Sequence, residues 1–236
     1  MKRLLFNTAL LLSATALNAS HVDTQARLGA GGSLDLGNGF KLDAATEQRF
    51  NQDLGDYYYG EYDVGISYAV SDYFSIAPMM RVAESRKTDR GAVRDWQREY
   101  RPMLNMTFSY TIEGWKLENR NRLELRMYDG ADFTVSAKSK GSADNIVRYR
   151  NRLKVSTPWK WTDLKINPYV SAEIFQDMTG EKTALQNYET AIGFSAALTS
   201  SASLDVYYMA EFKENAAKHA TPHTANIIGA ALKFKF

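Results

Sequence analysis

The residues with the clearest chemical capacity are arginines spaced two apart. Arg120, Arg122 and Arg126 stand in one stretch with Lys116, Glu118 and Glu124, and Arg148, Arg150, Arg152 and Lys154 stand in the next. Arg101 lies on the same phase a little upstream. A guanidinium fork matches a carboxylate or a phosphate through two parallel hydrogen bonds, so a ladder of this kind can recognise or guide an anionic solute. The same residues can also form a structural ion-pair network with acids from elsewhere in the chain. Both readings stand at this point.

Other chemistries have less to work with. Hydrolytic barrels need a nucleophile and a base within hydrogen-bond reach, usually Ser and His. The chain has three histidines: His21 near the start, and His219 and His223 in a loop with Pro222. No strand-borne Ser-His constellation appears, so the expectation is a non-enzyme without cofactor. His219 and His223 are four apart, but such a loop pair more often lies in solvent than on a metal. There are no cysteines, which excludes disulfides and thiolate metal sites.

The elements that position the ladder follow from its period. Charged residues alternate with Leu117, Leu123, Leu125 and Met127 in the first stretch, and with Val147, Tyr149, Leu153 and Val155 in the second. A period of two means β-strands whose faces meet different surroundings. Similar alternation occupies residues 22–36, 40–50, 58–70 and 74–82, then 96–110, 164–174, 185–198, 204–212 and 224–236. Tight turns are expected at Gly37-Asn38-Gly39, Ser71-Asp72, Glu113-Gly114 and from Pro158 to Trp161. Long connections are expected around residues 51–56, 85–95 and 129–144.

Long and short connections in alternation are the pattern of a membrane β-barrel. Tyr73, Phe74, Tyr110, Trp115, Trp159 and Trp161 gather beside the short turns. Tyr58, Trp96, Tyr128, Tyr188 and Phe212 lie toward the long loops, so two aromatic girdles are expected. Strands of eleven to fifteen residues are also too long for an ordinary soluble sandwich. The mean hydropathy of −0.40 is compatible with a barrel, because lipid-facing and lumen-facing residues alternate.

Residues 1–19 read as a secretory signal peptide: a basic start at Lys2 and Arg3, an apolar run from Leu4 to Leu12, then small residues. Cleavage is expected after Ala19, with Ala16 as the alternative. Loss of Lys2 and Arg3 takes the formal charge from +2 to 0, which leaves no basic excess for a nucleic-acid partner. Residues 20–236 then form a single all-β domain, a transmembrane antiparallel up-and-down β-barrel. Eleven strands can be counted, but bacterial single-chain barrels have even numbers. The expectation is therefore twelve, with ten as the alternative.

The ending Lys233-Phe234-Lys235-Phe236 resembles that of bacterial outer-membrane barrels, which implies location in the outer membrane and recognition of Phe236 by the barrel assembly machinery. More narrowly, Glu47-Gln48-Arg49-Phe50, the stretch from Arg120 to Arg126 and the stretch from Arg148 to Leu153, followed by Pro168-Tyr169 and Glu173, resemble a family of outer-membrane proteins known as a domain of unknown function. The charged ladders are also similar to those of small monomeric porins specific for acidic oligosaccharides such as oligogalacturonate. That similarity implies passive diffusion of anionic solutes, by a monomer or an oligomer.

In a closed barrel the ladder faces the interior, because arginines in hydrocarbon cost about 2 to 4 kcal/mol each near the midplane. Pairing across the long loop is expected to set Arg122 near Arg152, Arg120 near Lys154 and Glu124 near Arg150. An acidic wall of Asp43, Glu47, Glu61, Asp63, Glu189, Asp205 and Glu211 is expected opposite the basic one. If the walls stand apart, a transverse field crosses a water-filled pore. If they touch, the charges pair and the barrel is a non-conducting, structural or adhesive one. Loops such as Arg86 to Arg94 and Lys138 to Lys140 would then bind lipopolysaccharide phosphates. Asn119, Asn121 and Asn151 fall on the lipid phase, where amides need partners. They either contact one another or mark a subunit interface.

Overall fold

The computed structural model describes residues 22–51, 54–89, 92–128, 145–163, 165–179, 184–213 and 223–236. The segment read as a signal peptide, His21, His219, Leu164 and the stretch from Lys138 to Lys140 lie outside them. The strands are β1 (Val22–Gly37), β2 (Phe40–Asn51), β3 (Asp56–Ser71), β4 (Phe74–Asp89), β5 (Ala92–Ile112) and β6 (Trp115–Tyr128). They continue with β7 (Ile146–Ser156), β8 (Asn167–Asp177), β9 (Ala184–Ala197), β10 (Ala202–Lys213) and β11 (His223–Lys235). Each strand pairs with its sequence neighbour in antiparallel fashion, and the sheet closes where β1 meets β11.

The closing seam decides the strand number. β1 and β11 run parallel, from Val22 beside Thr224 to Ser33 beside Lys235. The Phe236 backbone extends the seam, accepting from the Asp35 N–H at 3.0 Å and donating to the Ser33 carbonyl at 2.9 Å. A parallel seam permits an odd number, and the barrel has eleven strands, neither twelve nor ten. The even-number expectation assumed an antiparallel seam with both termini at one end. Here β1 starts at the end that carries the long connections and descends beside β11.

Outward positions carry the apolar residues that a soluble fold would bury. Leu42, Val64, Ile66, Phe108, Leu153, Ile192 and Ile228 are all exposed on the outer face. Among the described residues no helix is long and apolar enough to cross a membrane, a criterion that says nothing of strands. Two belts of aromatic pairs flank this surface. At the short-turn end Phe40 meets Tyr68 at 4.5 Å, Phe74 stacks on Phe108 at 4.7 Å, and Trp115 meets Trp159 at 5.7 Å. At the other end Tyr57 meets Trp96 at 5.3 Å and Tyr188 stacks on Phe212 at 4.6 Å.

Three local expectations change. A bulge opposite Arg49 and Phe50 makes Tyr58 the extra residue of β3. Its hydroxyl donates to Gln25 Oε1 at 2.9 Å inside the barrel, and Tyr57 takes the outer position instead. Within the expected loop over residues 85–95, residues 85–89 and 92–95 are paired strand, with Lys87 beside Asp95 and Asp89 beside Ala92. Its ladder runs through the backbone, so charged side chains do not end it. The eighth strand begins at Asn167, because Trp161 and Ile166 form an isolated bridge across a turn in which Thr162 and Lys165 have positive φ. The expected turn at residues 37–39 is present, all three residues having φ between 52° and 82°.

Candidate functional site

Closure turns every inward side chain of the ladder toward the same enclosed space. The β6–β7 register sets Arg120 opposite Arg152, Arg122 opposite Arg150, Glu124 opposite Arg148 and Glu118 opposite Lys154. This is two residues away from the expected pairing, a slip that preserves which face each residue occupies. Like charges do face one another, as expected, at Arg120–Arg152 and Arg122–Arg150.

The compensation comes mainly from acids close to the ladder. Glu124 is fully enclosed, at 0% exposure, and holds Arg148 at 2.5 Å, Arg150 at 3.0 Å and Arg122 at 3.4 Å. Glu173 of β8 accepts from Arg120 and Arg150, each at 2.9 Å. Glu99 of β5 binds both Arg101 at 2.7 Å and Arg126 at 2.5 Å. Glu118 takes Arg152 at 3.0 Å, and Arg122 also donates to Asn105 Oδ1 at 2.6 Å.

The expected acidic wall exists as positions, but it carries its own cations. Arg81 is held by Glu61 and Asp63, each at 2.6 Å. Arg49 binds Glu47 at 2.7 Å and lies over the Tyr59 ring at 4.4 Å. Arg27 reaches across β11 and β10 to Glu189 at 3.1 Å and lies 3.7 Å from Glu211. Asp43 accepts from Ser33. The named basic and acidic walls meet at one point, where Lys154 approaches Asp205 at 3.9 Å. Sequence reading passed over Arg27, Arg49, Arg81 and Glu99, although their inward phase was legible from alternation alone.

It also passed over a segregation by size. Toward the loop end the inward positions carry Arg, Glu and Tyr. Toward the turn end they carry Gly31 and Ser33, Ser67 and Ala69, Ser75 and Ala77, Thr107 and Ser109, Ser171, Ser195 and Ala197, Ser203 and Ala231. Beside the charged residues at this level, two tyrosines point inward, each seated on a glycine, and Met79 is seated on Gly65 in the same way. A Cβ at Gly229 would stand 2.0 Å from the Tyr207 ring, and one at Gly193 would stand 2.7 Å from Tyr169. The interior is therefore filled in its loop half and thinly lined in its turn half.

On the outer face the three amides contact one another. Asn121 Nδ2 donates to Asn119 at 2.8 Å, Asn151 Nδ2 donates to Asn121 at 2.9 Å, and the Tyr149 hydroxyl donates to Asn121 Oδ1 at 2.5 Å. Mutual pairing meets part of the demand that hydrocarbon places on an amide. His223 begins β11. Among the described residues no cluster of three acids and histidines is placed to hold a metal ion.

A solved structure, LpxR from Salmonella typhimurium, is 10% identical, with 87% of each chain covered and a TM-score of 0.49. The comparison with curated proteins gives no match. A family model described as "Protein of unknown function (DUF2490)" matches residues 24–221, and the chain belongs to that family.

Proposed function

We propose that this chain is a non-conducting outer-membrane barrel whose interior is sealed by ion pairs in its loop half. The observation that carries the reading is the enclosure of Glu124 by Arg122, Arg148 and Arg150. Full-length conduction would separate these groups, and stripping one partner from a buried pair costs about 3 to 5 kcal/mol. The apolar outer face and the paired aromatic belts support the membrane location. In this reading the barrel is a structural anchor that needs no cofactor or catalytic step. It holds basic outer segments, the sequences from Arg86 to Arg94 and from Lys138 to Lys140, against lipopolysaccharide phosphates, with Arg86 itself paired to Asp56.

The alternative is a porin for anionic solutes, such as acidic oligosaccharides, that move along Arg101, Arg120, Arg122, Arg126, Arg148, Arg150, Arg152 and Lys154. The open lower lumen favours it. Conductance of the barrel in a planar bilayer separates the two. The sealed reading expects silence from a folded, heat-modifiable protein. Steady anion-selective steps whose selectivity changes on charge reversal of Arg122 and Arg152 would overturn it in favour of the porin.

A further inference from the structure

We infer that the turn half of the lumen is a blind, positively charged cup that binds multivalent anions entering from the short-turn end. The inference rests on the seal proposed above, which makes the cup blind.

Space is the first requirement, and the inward face provides it. Ala45 and Ala69 point into the barrel yet remain exposed. At Gly31 the atoms nearest an added Cβ belong to Ala44 and Ala45 of the neighbouring strand, at 3.2 Å, and not to a side chain lying over it. This contrasts with Gly229 and Gly193, which are covered by tyrosines. Small side chains on most strands thus leave the lower lumen accessible.

Charge is the second requirement. Two carboxylates on this wall each serve two cations. Glu118 holds Arg152 at 3.0 Å and Lys116 at 3.6 Å. Asp205 holds Lys233 and, at 3.9 Å, Lys154. One carboxylate neutralises one cation, so each site retains positive charge on this side of the lumen, while Asp43 of β2, bonded to Ser33, carries negative charge on another side. Lys154 is further fixed over the Tyr169 ring, its Nζ 3.5 Å from the centroid. The Lys116 and Lys233 side chains are each 53% exposed, which leaves ammonium donors free to meet a ligand. Positive charge within low-dielectric walls concentrates anions, and phosphate or carboxylate groups are the natural partners of these donors.

The absence of native cysteine permits a direct test in detergent micelles at low salt. Ser171→Cys, partly exposed and directly opposite Lys154, reports the cup, and Ala83→Cys, at a position 1% exposed inside the loop half, reports the seal. Each variant is labelled with an anionic sulfonatoethyl and a cationic trimethylammonioethyl methanethiosulfonate. The expectation is that Ser171→Cys reacts about tenfold faster with the anionic reagent, at the lower end of electrostatic rate enhancement. Ala83→Cys should resist both reagents. Lys116→Glu should remove most of the preference, and Lys233→Gln serves as a second variant should the first misfold.

Inorganic pyrophosphate or citrate should protect Ser171→Cys. Protection by pyrophosphate alone assigns phosphate as the preferred group, and protection by citrate alone assigns carboxylate. Equal reaction of Ser171→Cys with both reagents and no protection by either anion would overturn the anion site while leaving the seal intact. Labelling of Ala83→Cys would overturn the seal, and with it the blind cup.

Discussion

The two halves of the interior share one wall and one alternation, yet they solve opposite problems. In the loop half large charged side chains of the same and neighbouring strands bury one another, and Glu124 alone contacts three arginines. In the turn half serine, alanine and glycine line the same strands, and the remaining cations share Glu118 and Asp205 along the wall. Side-chain reach accounts for the difference. Arginine and glutamate extend far enough to pair across neighbouring strands and fill a small barrel, whereas small residues cannot, so water reaches the backbone. A barrel can be closed at one level and hollow at another without any change in strand number.

The comparison can be broken most sharply at Glu124. Replacing it with alanine leaves Arg122, Arg148 and Arg150 crowded without their shared carboxylate. Unfolding in denaturant should show a loss of about 3 to 5 kcal/mol, the range for stripping one partner from buried charges. A loss below about 1 kcal/mol would mean that the plug is hydrated, and the two halves would no longer differ.

Packing gives the next largest contrast. Gly229→Ala drives a methyl into the Tyr207 ring, which a Cβ would approach to 2.0 Å, and should cost about 1 to 3 kcal/mol in the same unfolding experiment. Gly31→Ala finds its nearest atoms on the adjacent strand at 3.2 Å and should cost under about 1 kcal/mol. Equal losses would show that the turn half is as crowded as the seat of Tyr207.

A smaller effect is expected on the lipid face. Asn121→Leu removes the acceptor used by Tyr149 and Asn151, and side-chain hydrogen bonds in membranes average about 0.6 kcal/mol. Unfolding from lipid vesicles should show a loss of about 1 kcal/mol. A gain in stability would mean that the amides serve no structural purpose there. The smallest effect belongs to the rim of the cup. Lys116→Ala, at a half-exposed ion pair 3.6 Å long, should alter stability by less than about 0.5 kcal/mol.

Much of the fold was legible because barrel strands impose a strict period. The apolar phase of residues 62–70 and 224–236, the turns at Gly37-Asn38-Gly39 and Glu113-Gly114, and both aromatic belts follow from alternation and turn chemistry. Departures from the period escaped notice. Tyr58 turns inward because one extra residue in β3 shifts the phase, and nothing in a run of three tyrosines marks where that residue falls. The charged segment beyond Arg86 was read as a loop because its strand character resides in backbone bonds that composition does not report.

The site was legible as a set of inward residues and illegible as a set of partners. Arg120, Arg122, Arg150 and Arg152 were placed inside, as were Glu61, Glu189 and Asp205 on other strands. Their pairing depends on register, which for β6 and β7 is set across a long connection. Their distances depend on the diameter, and neither quantity is written in the spacing of a single strand.

The sequence by itself determined that this chain alternates, that its charges face one common side and that its apolar residues face the other, because a strand repeats every two residues. The tertiary structure decided that β1 closes against β11 in parallel, that eleven strands suffice, and that the charges of the loop half are buried among one another while Lys116 and Lys233 in the turn half stay half exposed. Closure is a global condition on all the strands at once. Only a closed ring fixes which side chains are near enough to pair and which leave room between them.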